Sequence, residues 1–250
     1  LAVYVKSERE VDGIRAAGRI AAGALAAAGA AGRPGVTLKT LESVCDRFIR
    51  ERDGIPTFLG YRGFPAAACI SVNEEVVHGI PDSRQLRDGD LLKIDVGVTL
   101  GGFIADAART FAVGPVVAER LKLARVTEEA FWKGAAAARA GRRVTDISRA
   151  VQRHVESHGY SVVRDLCGHG VGLHLHEDPS VPNFVVPGTG RRLVAGMTLA
   201  IEPMVNAGGF EVRTLDNGWT VVAADGSPSA HYENTVLVTE SEPEILTLNE

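Results

Sequence analysis

Cysteine is scarce in this chain of 250 residues: Cys45, Cys69 and Cys167 are odd in number, far apart and without a C-x-x-C pair. That excludes a disulfide framework and a cysteine zinc site, and suits a reducing cytosol. Long apolar runs are also missing, because Arg or Gly interrupts each one well short of membrane-spanning length. Charge of one sign does not accumulate: the net charge is −4, which leaves no basic footprint for stable nucleic-acid binding. The Ala-rich stretch from Ile14 to Ala31 carries Arg15 and Arg19 and follows Glu8, Arg9 and Glu10, so no targeting segment is read there. No low-complexity tract or linker divides the chain. With 45% apolar and 23% charged residues, the expectation is one soluble catalytic domain over residues 1–250, with related halves at about 1–115 and 116–250.

Helices are predicted at about 8–31, entered through a Ser7–Glu10 capping box, and at about 38–53, entered through Thr37. Two more are expected at 119–140 and at 146–158, the second capped by Thr145. Strand-like runs are Cys69–Val72, Leu91–Leu100, Phe103–Val113, Tyr160–Arg164, Met197–Val205, Glu211–Arg213, Trp219–Ala223 and Tyr232–Thr239. The order is helix pair, strands, helix pair, strands. A short echo between Gly89–Asp95 and Gly196–Glu202, each an apolar strand ending in a carboxylate, fits an internal duplication.

Those carboxylates are the anomaly. If Gly101-Gly102 is a two-residue hairpin turn, Gly97 faces Asp106, and Asp95 lies on the same face one diagonal step away. Gly97 would then leave open space opposite Asp106 for something both acids bind. Glu202 and Glu233 repeat the pattern downstream. Four carboxylates brought together could not all ionise, since like charges at close range raise one another's pKa. Two divalent cations would balance them, at the roughly 3.5–4 Å spacing that bridging carboxylates allow. Glycine-flanked His169, in Gly168-His169-Gly170, would supply a fifth donor. An oxygen-rich set with one imidazole suits Mn, Fe, Co or Zn.

These positions, together with Ser71-Val72-Asn73-Glu74, Val77-His78-Gly79-Ile80-Pro81, His176-Glu177-Asp178-Pro179 and Ile201-Glu202-Pro203-Met204, resemble the type I methionine aminopeptidases from Ser7 to Thr247. The resemblance implies an α/β (α+β) pita-bread fold: two pseudo-symmetric halves with helices outside a curved central antiparallel sheet. It implies removal of initiator methionine from new proteins with a small second residue, in the cytoplasm, with only transient proximity to the ribosome. By resemblance Asp106 and Glu233 bridge two divalent metals, Asp95 serves one, and His169 and Glu202 serve the other. Glu202 doubles as proton shuttle, His176 donates to the reacting carbonyl, and His78 orients the scissile amide. Tyr61, Phe64, Cys69 and Trp219 form the methionine pocket, with His78 at its edge. The chain departs from the family's usual pattern at His231, often Gln, at Asn234, often His, and at Leu175, often Phe.

Two other functions compete. A proline-specific peptidase of the same fold, a prolidase or aminopeptidase P, would share the five ligands; a silent peptide- or nucleic-acid-binding relative would have lost some of them. His154-Val155-Glu156-Ser157-His158 has imidazoles at i and i+4, but its acid is misplaced for a zincin, and it reads as a solvated helix surface. His174 reads as a bystander on the strand face it shares with His176. The chain is expected to act as a monomer without membrane association.

Overall fold

The computed structural model describes residues 3–188 and 190–248. Four helices lie where the apolar periodicity places them: α1 (Glu8–Ala31), α2 (Leu38–Arg50), α3 (Ala118–Ala136) and α4 (Val144–Ser157). In α1, Ile14, Ala17, Ala21, Ala24, Leu25 and Ala28 recur at helical spacing and are buried, and their small side chains let the helix lie close on the sheet. The Glu10 carboxylate accepts a hydrogen bond from the Ser7 backbone N–H, at 2.7 Å, as the capping box requires. Three ends differ from expectation, the first being α2, which stops at Arg50 rather than 53. Helix α3 stops at Ala136 rather than 140, and the cap of α4 falls at Arg143, whose N–H donates to Asp146, instead of at Thr145.

The central sheet is antiparallel throughout. Its labelled strands are β1 (Cys69–Val72), β2 (Leu91–Leu100), β3 (Phe103–Ala112), β4 (Cys167–Gly170), β5 (Glu177–Pro182), β6 (Thr198–Ile201) and β8 (Glu233–Leu237). They pair in the order β2, β3, β8, β6, β4, β5, with β1 on β2. Helix α1 buries its apolar stripe against β2 and β3 with α2 packed on α1 and β1, while α3 lies on β6 and Ser229–His231 and α4 lies on α3 and β5, giving two cores on one continuous sheet.

The β2–β3 hairpin turns at Gly101-Gly102, both with positive φ (58° and 88°), the turn chemistry that two-residue hairpins demand. Further along, the expected strand 197–205 is split: Pro203 has no N–H to give the ladder, so β6 ends at Ile201 and Met204–Asn206 joins a small separate sheet with Ser229–His231 (β7). The fully buried Lys93 on β2 donates to the carbonyls of Asn73 (2.7 Å) and Ser229 (3.1 Å), tying that small sheet to the hairpin. Burial pulls its pKa down to about 7.

Candidate metal centre

Gly97 pairs with Asp106 and Asp95 with Ala108, so the two acids share one face of the hairpin, as their spacing predicts. The space over Gly97 is not open, however. A Cβ there would come within 2.7 Å of the Phe58 ring, so the glycine makes room for an aromatic wall rather than for a bound group. Glu233 begins β8 opposite Ala108, beside Asp106, and β3 is locked to β8 by Thr235: its hydroxyl accepts from Asp106 N–H and donates to Asp106 C=O, both at 2.9 Å. Glu202 projects from the break before Pro203, and its own carbonyl accepts from the Asn183 amide at 3.0 Å. His169 on β4 pairs with Ala200 of β6.

Thus Asp95, Asp106, His169, Glu202 and Glu233, drawn from five strands or strand ends, line one cavity of about 200 Å3. The electrostatics are those of a site built for cations. Oδ1 of Asp95, Oδ1 of Asp106, Oε1 of Glu233 and Nε2 of His231 are buried without any hydrogen-bond partner, a cost proteins rarely carry unless something else satisfies the atoms. Among the described residues no lysine or arginine pairs with these carboxylates; only the imidazoles of His169 and His231 approach them, at 3.5–4.0 Å. Burial, followed by repulsion from the neighbouring acids, holds Asp95, Glu202 and Glu233 well above the usual carboxylate range, and burial raises Asp106.

Asp106, His169 and Glu233 bring ligating atoms within 4.8 Å of one another, and so do Asp95, His231 and Glu233. His169 Nδ1 lies 2.9 Å from Gly170 C=O, which fixes the proton on Nδ1 and leaves the Nε2 lone pair facing the acids. Burial lowers its pKa to about 4, so the imidazole is neutral and free to ligate. The donor set therefore fits divalent metal.

His176 is carried on the loop 171–176, not on a strand, and its ring lies 4.2 Å from that of His169. The Tyr61 hydroxyl meets His176 Nδ1 at 2.9 Å and the rings stack, so Nε2 is the free atom of the pair. Burial first, then the positive fields of nearby groups, pulls the His176 pKa down to about 3. His78 follows the short strand Glu75–Val77 with φ +59°, a left-handed conformation that is strained for a non-glycine residue and more common at functional sites. At the far wall the Phe64 and Trp219 rings meet edge-on at 5.2 Å, and Cys69 stands opposite Asp95 across β1 and β2. Burial pushes the Cys69 thiol up, so it stays an uncharged, apolar neighbour. His174 is exposed and lies against Tyr4, away from the cavity.

The model of metallopeptidase family M24 matches residues 12–240. The chain belongs to this family. It is 53% identical over 246 residues to a methionine aminopeptidase of Clostridium perfringens, covering 98% of this chain and 99% of that protein. The methionine aminopeptidase of Thermotoga maritima superposes with a TM-score of 0.97 at 42% identity, over 99% of this chain and all of the other. A prolidase from Pyrococcus furiosus shares the pita-bread fold, with a TM-score of 0.78 at 22% identity, over 98% of this chain but 66% of that one.

Around this M24 centre stand residues that sequence reasoning passed over. Arg109 on β3 donates to the Glu233 carbonyl and, at 2.6 Å, to the Asn234 side-chain oxygen, which also accepts from Thr247 at 2.9 Å. The short amide at 234 is thus the acceptor that anchors a part-buried guanidinium beside Glu233. Glu177 pairs with buried Lys6 and accepts from the N–H groups of Leu173 and His174 at 2.7 and 2.9 Å, shaping the loop that delivers His176. Phe58 and Met204 add apolar wall. The weak signal available was an ionisable residue beside each motif, without the partner that explains it.

Proposed function

We propose that this protein is a metal-dependent methionine aminopeptidase that hydrolyses the first peptide bond of new polypeptides whose second residue is small. The observation that carries the reading is the convergence of four carboxylates, three of them with a buried oxygen that has no hydrogen-bond partner, and one neutral imidazole beside an apolar pocket. Asp95, Asp106, His169, Glu202 and Glu233 would hold two divalent ions there. Two dipositive ions match four carboxylate charges. Bound divalent metal supplies Lewis acidity that polarises a carbonyl and makes water acidic enough to attack near neutral pH.

The chain's own groups do the rest. The wall of Phe64, Trp219, Cys69 and Tyr61 takes the methionine side chain, apolar against a thioether. His176, with Nδ1 engaged by the Tyr61 hydroxyl, offers Nε2–H to the carbonyl oxygen as negative charge develops on it. His78 orients the amide from the pocket edge. Glu202, at the break before Pro203, takes the proton from attacking water and passes it to the departing amine. Substrates are the N-termini of newly made chains met briefly near the ribosome, in the cytoplasm. No helix among the described residues is long and apolar enough to cross a membrane.

The test strips the protein with chelator, restores Mn, Fe, Co or Zn singly, and assays Met-Ala-Ser against Met-Leu and Ala-Pro peptides. Metal-dependent release of Met from Met-Ala-Ser alone is expected. Cleavage of Ala-Pro with none of Met-Ala-Ser would favour the prolidase-like alternative. Metal-independent inertness toward all three would favour a binding protein.

A further inference from the structure

Outside the catalytic cavity, on the outer helical layer, His154 stands in the last turn of α4 and His158, four residues on, is the C-cap of that helix. Their ring centroids are 4.6 Å apart. The sequence segment reads as a solvated surface, yet the His154 side chain is only 15% exposed and its Nε2 lies 3.1 Å from Glu129 Oε2 of the neighbouring helix α3. Ligating atoms of Glu129, His154 and His158 all fall within 4.8 Å of one another. None of the three lines the catalytic cavity.

We propose that Glu129, His154 and His158 form a second, separate metal site that binds a borderline divalent ion of the zinc type and clips α3 to α4. Three features support it. The His158 Nδ1 lies 2.8 Å from the His154 carbonyl, which can only accept, so the proton sits on Nδ1 and the Nε2 lone pair is bare for a metal. This backbone contact also holds the ring of His158 against rotation. The two helices are already packed through Phe131, Ile147 and Val151, so the carboxylate and the imidazoles are presented from a fixed scaffold and little ordering entropy is lost on binding.

The donor set of two imidazoles and one carboxylate, with an open fourth position for water, suits a tetrahedral ion with ligand bonds of about 2.0–2.2 Å. Donors around such an ion stand roughly 3.4 Å apart, a spacing that small side-chain rotations reach from the present one. On binding, His154 exchanges its Nε2–H···Glu129 hydrogen bond for the metal and carries its proton on Nδ1. The nitrogen donors disfavour Mg2+ and Ca2+, which prefer all-oxygen shells. Arg125, whose Nε lies 3.7 Å from Oε1 of Glu129, engages that oxygen and leaves Oε2 on the imidazole side.

The experiment titrates zinc chloride into the manganese-loaded enzyme and measures bound zinc by equilibrium dialysis, with the thermal midpoint recorded in parallel. The parent protein is expected to take up one zinc equivalent more than the His154→Ala/His158→Ala double variant, whose catalytic centre is the same. Zinc is expected to raise the midpoint of the parent and not that of the double variant. Glu129→Gln, which keeps both imidazoles and the shape of the side chain, is expected to weaken this equivalent about tenfold, or about 1.4 kcal/mol. Equal zinc uptake by the parent and the double variant would overturn the proposal. So would a Glu129→Gln protein that binds zinc as tightly as the parent, since the site as drawn needs that carboxylate.

Discussion

Asp95 and Asp106 stand on one uninterrupted hairpin, whereas Glu202 and Glu233 stand where strands break, beside Pro203 and between β7 and β8. The first pair owes its convergence to a local device, a Gly-Gly turn and a fixed register. The second pair is placed by long-range ties: Arg109 and Thr247 on Asn234, Asn183 on the Glu202 backbone, and Lys93 on the Ser229 carbonyl. Local register is robust to single changes in its surroundings. Positions held by distant buried hydrogen bonds are sensitive to each of them, because a lost partner leaves a buried polar group unpaired at a cost of about 1–3 kcal/mol.

The largest effect is expected from the ligands themselves, where the two pairs should behave alike. Asp106→Asn, read by turnover of Met-Ala-Ser and by metal content, should lose activity on the order of a thousandfold, the scale of removing a principal stabilising group. Next comes His176→Ala. Turnover should fall about a hundredfold or more with bound metal unchanged, since the ring acts on substrate and not as a ligand; loss of metal in this variant would contradict the role given to it.

The pairs should part at the third test. Arg109→Met removes the tie to Glu233 and Asn234 and should weaken metal binding roughly 10- to 100-fold, as loss of a group behind a ligand does. Gly101→Ala strains the hairpin turn at its positive φ and should cost about 1 kcal/mol of stability, read by thermal melting, with metal affinity retained. Equal losses of affinity in the two variants would erase the distinction between local and long-range placement.

The smallest effect is with pH. Asp106 is raised to about 7 in the metal-free protein, Asp95, Glu202 and Glu233 are raised as well, and ligands must be deprotonated to bind, so metal affinity should climb as pH rises through and beyond that value. A flat profile from pH 6 to 8 in calorimetric titration would count against the crowded-carboxylate account.

What the sequence made legible follows the same division. The four helices, the hairpin register and the shared face of Asp95 and Asp106 rest on short-range periodicity and turn chemistry, and all could be read from the chain. Strands β4 and β5 could not, because Gly168, His169 and Pro179 lack strand propensity and those segments are held extended by pairing with β6 and with each other. The space over Gly97 was misjudged for want of Phe58, which arrives from a loop 39 positions earlier. Glu177 finds Lys6 across 171 positions, and His154 finds Glu129 across 25, separations at which no local pattern points to the partner. The four carboxylates of the candidate centre were recognisable because a carboxylate on an apolar strand is costly wherever it occurs, whatever its partners.

The central claim is that the four carboxylates and His169 hold metal in one buried cluster. Anomalous diffraction from crystals of the manganese-loaded protein tests it most directly. The account expects two peaks about 3.5–4 Å apart, between Asp95, Asp106 and Glu233 on one side and His169 and Glu202 on the other. A catalytically active crystal form with no anomalous peak inside that cavity would contradict it.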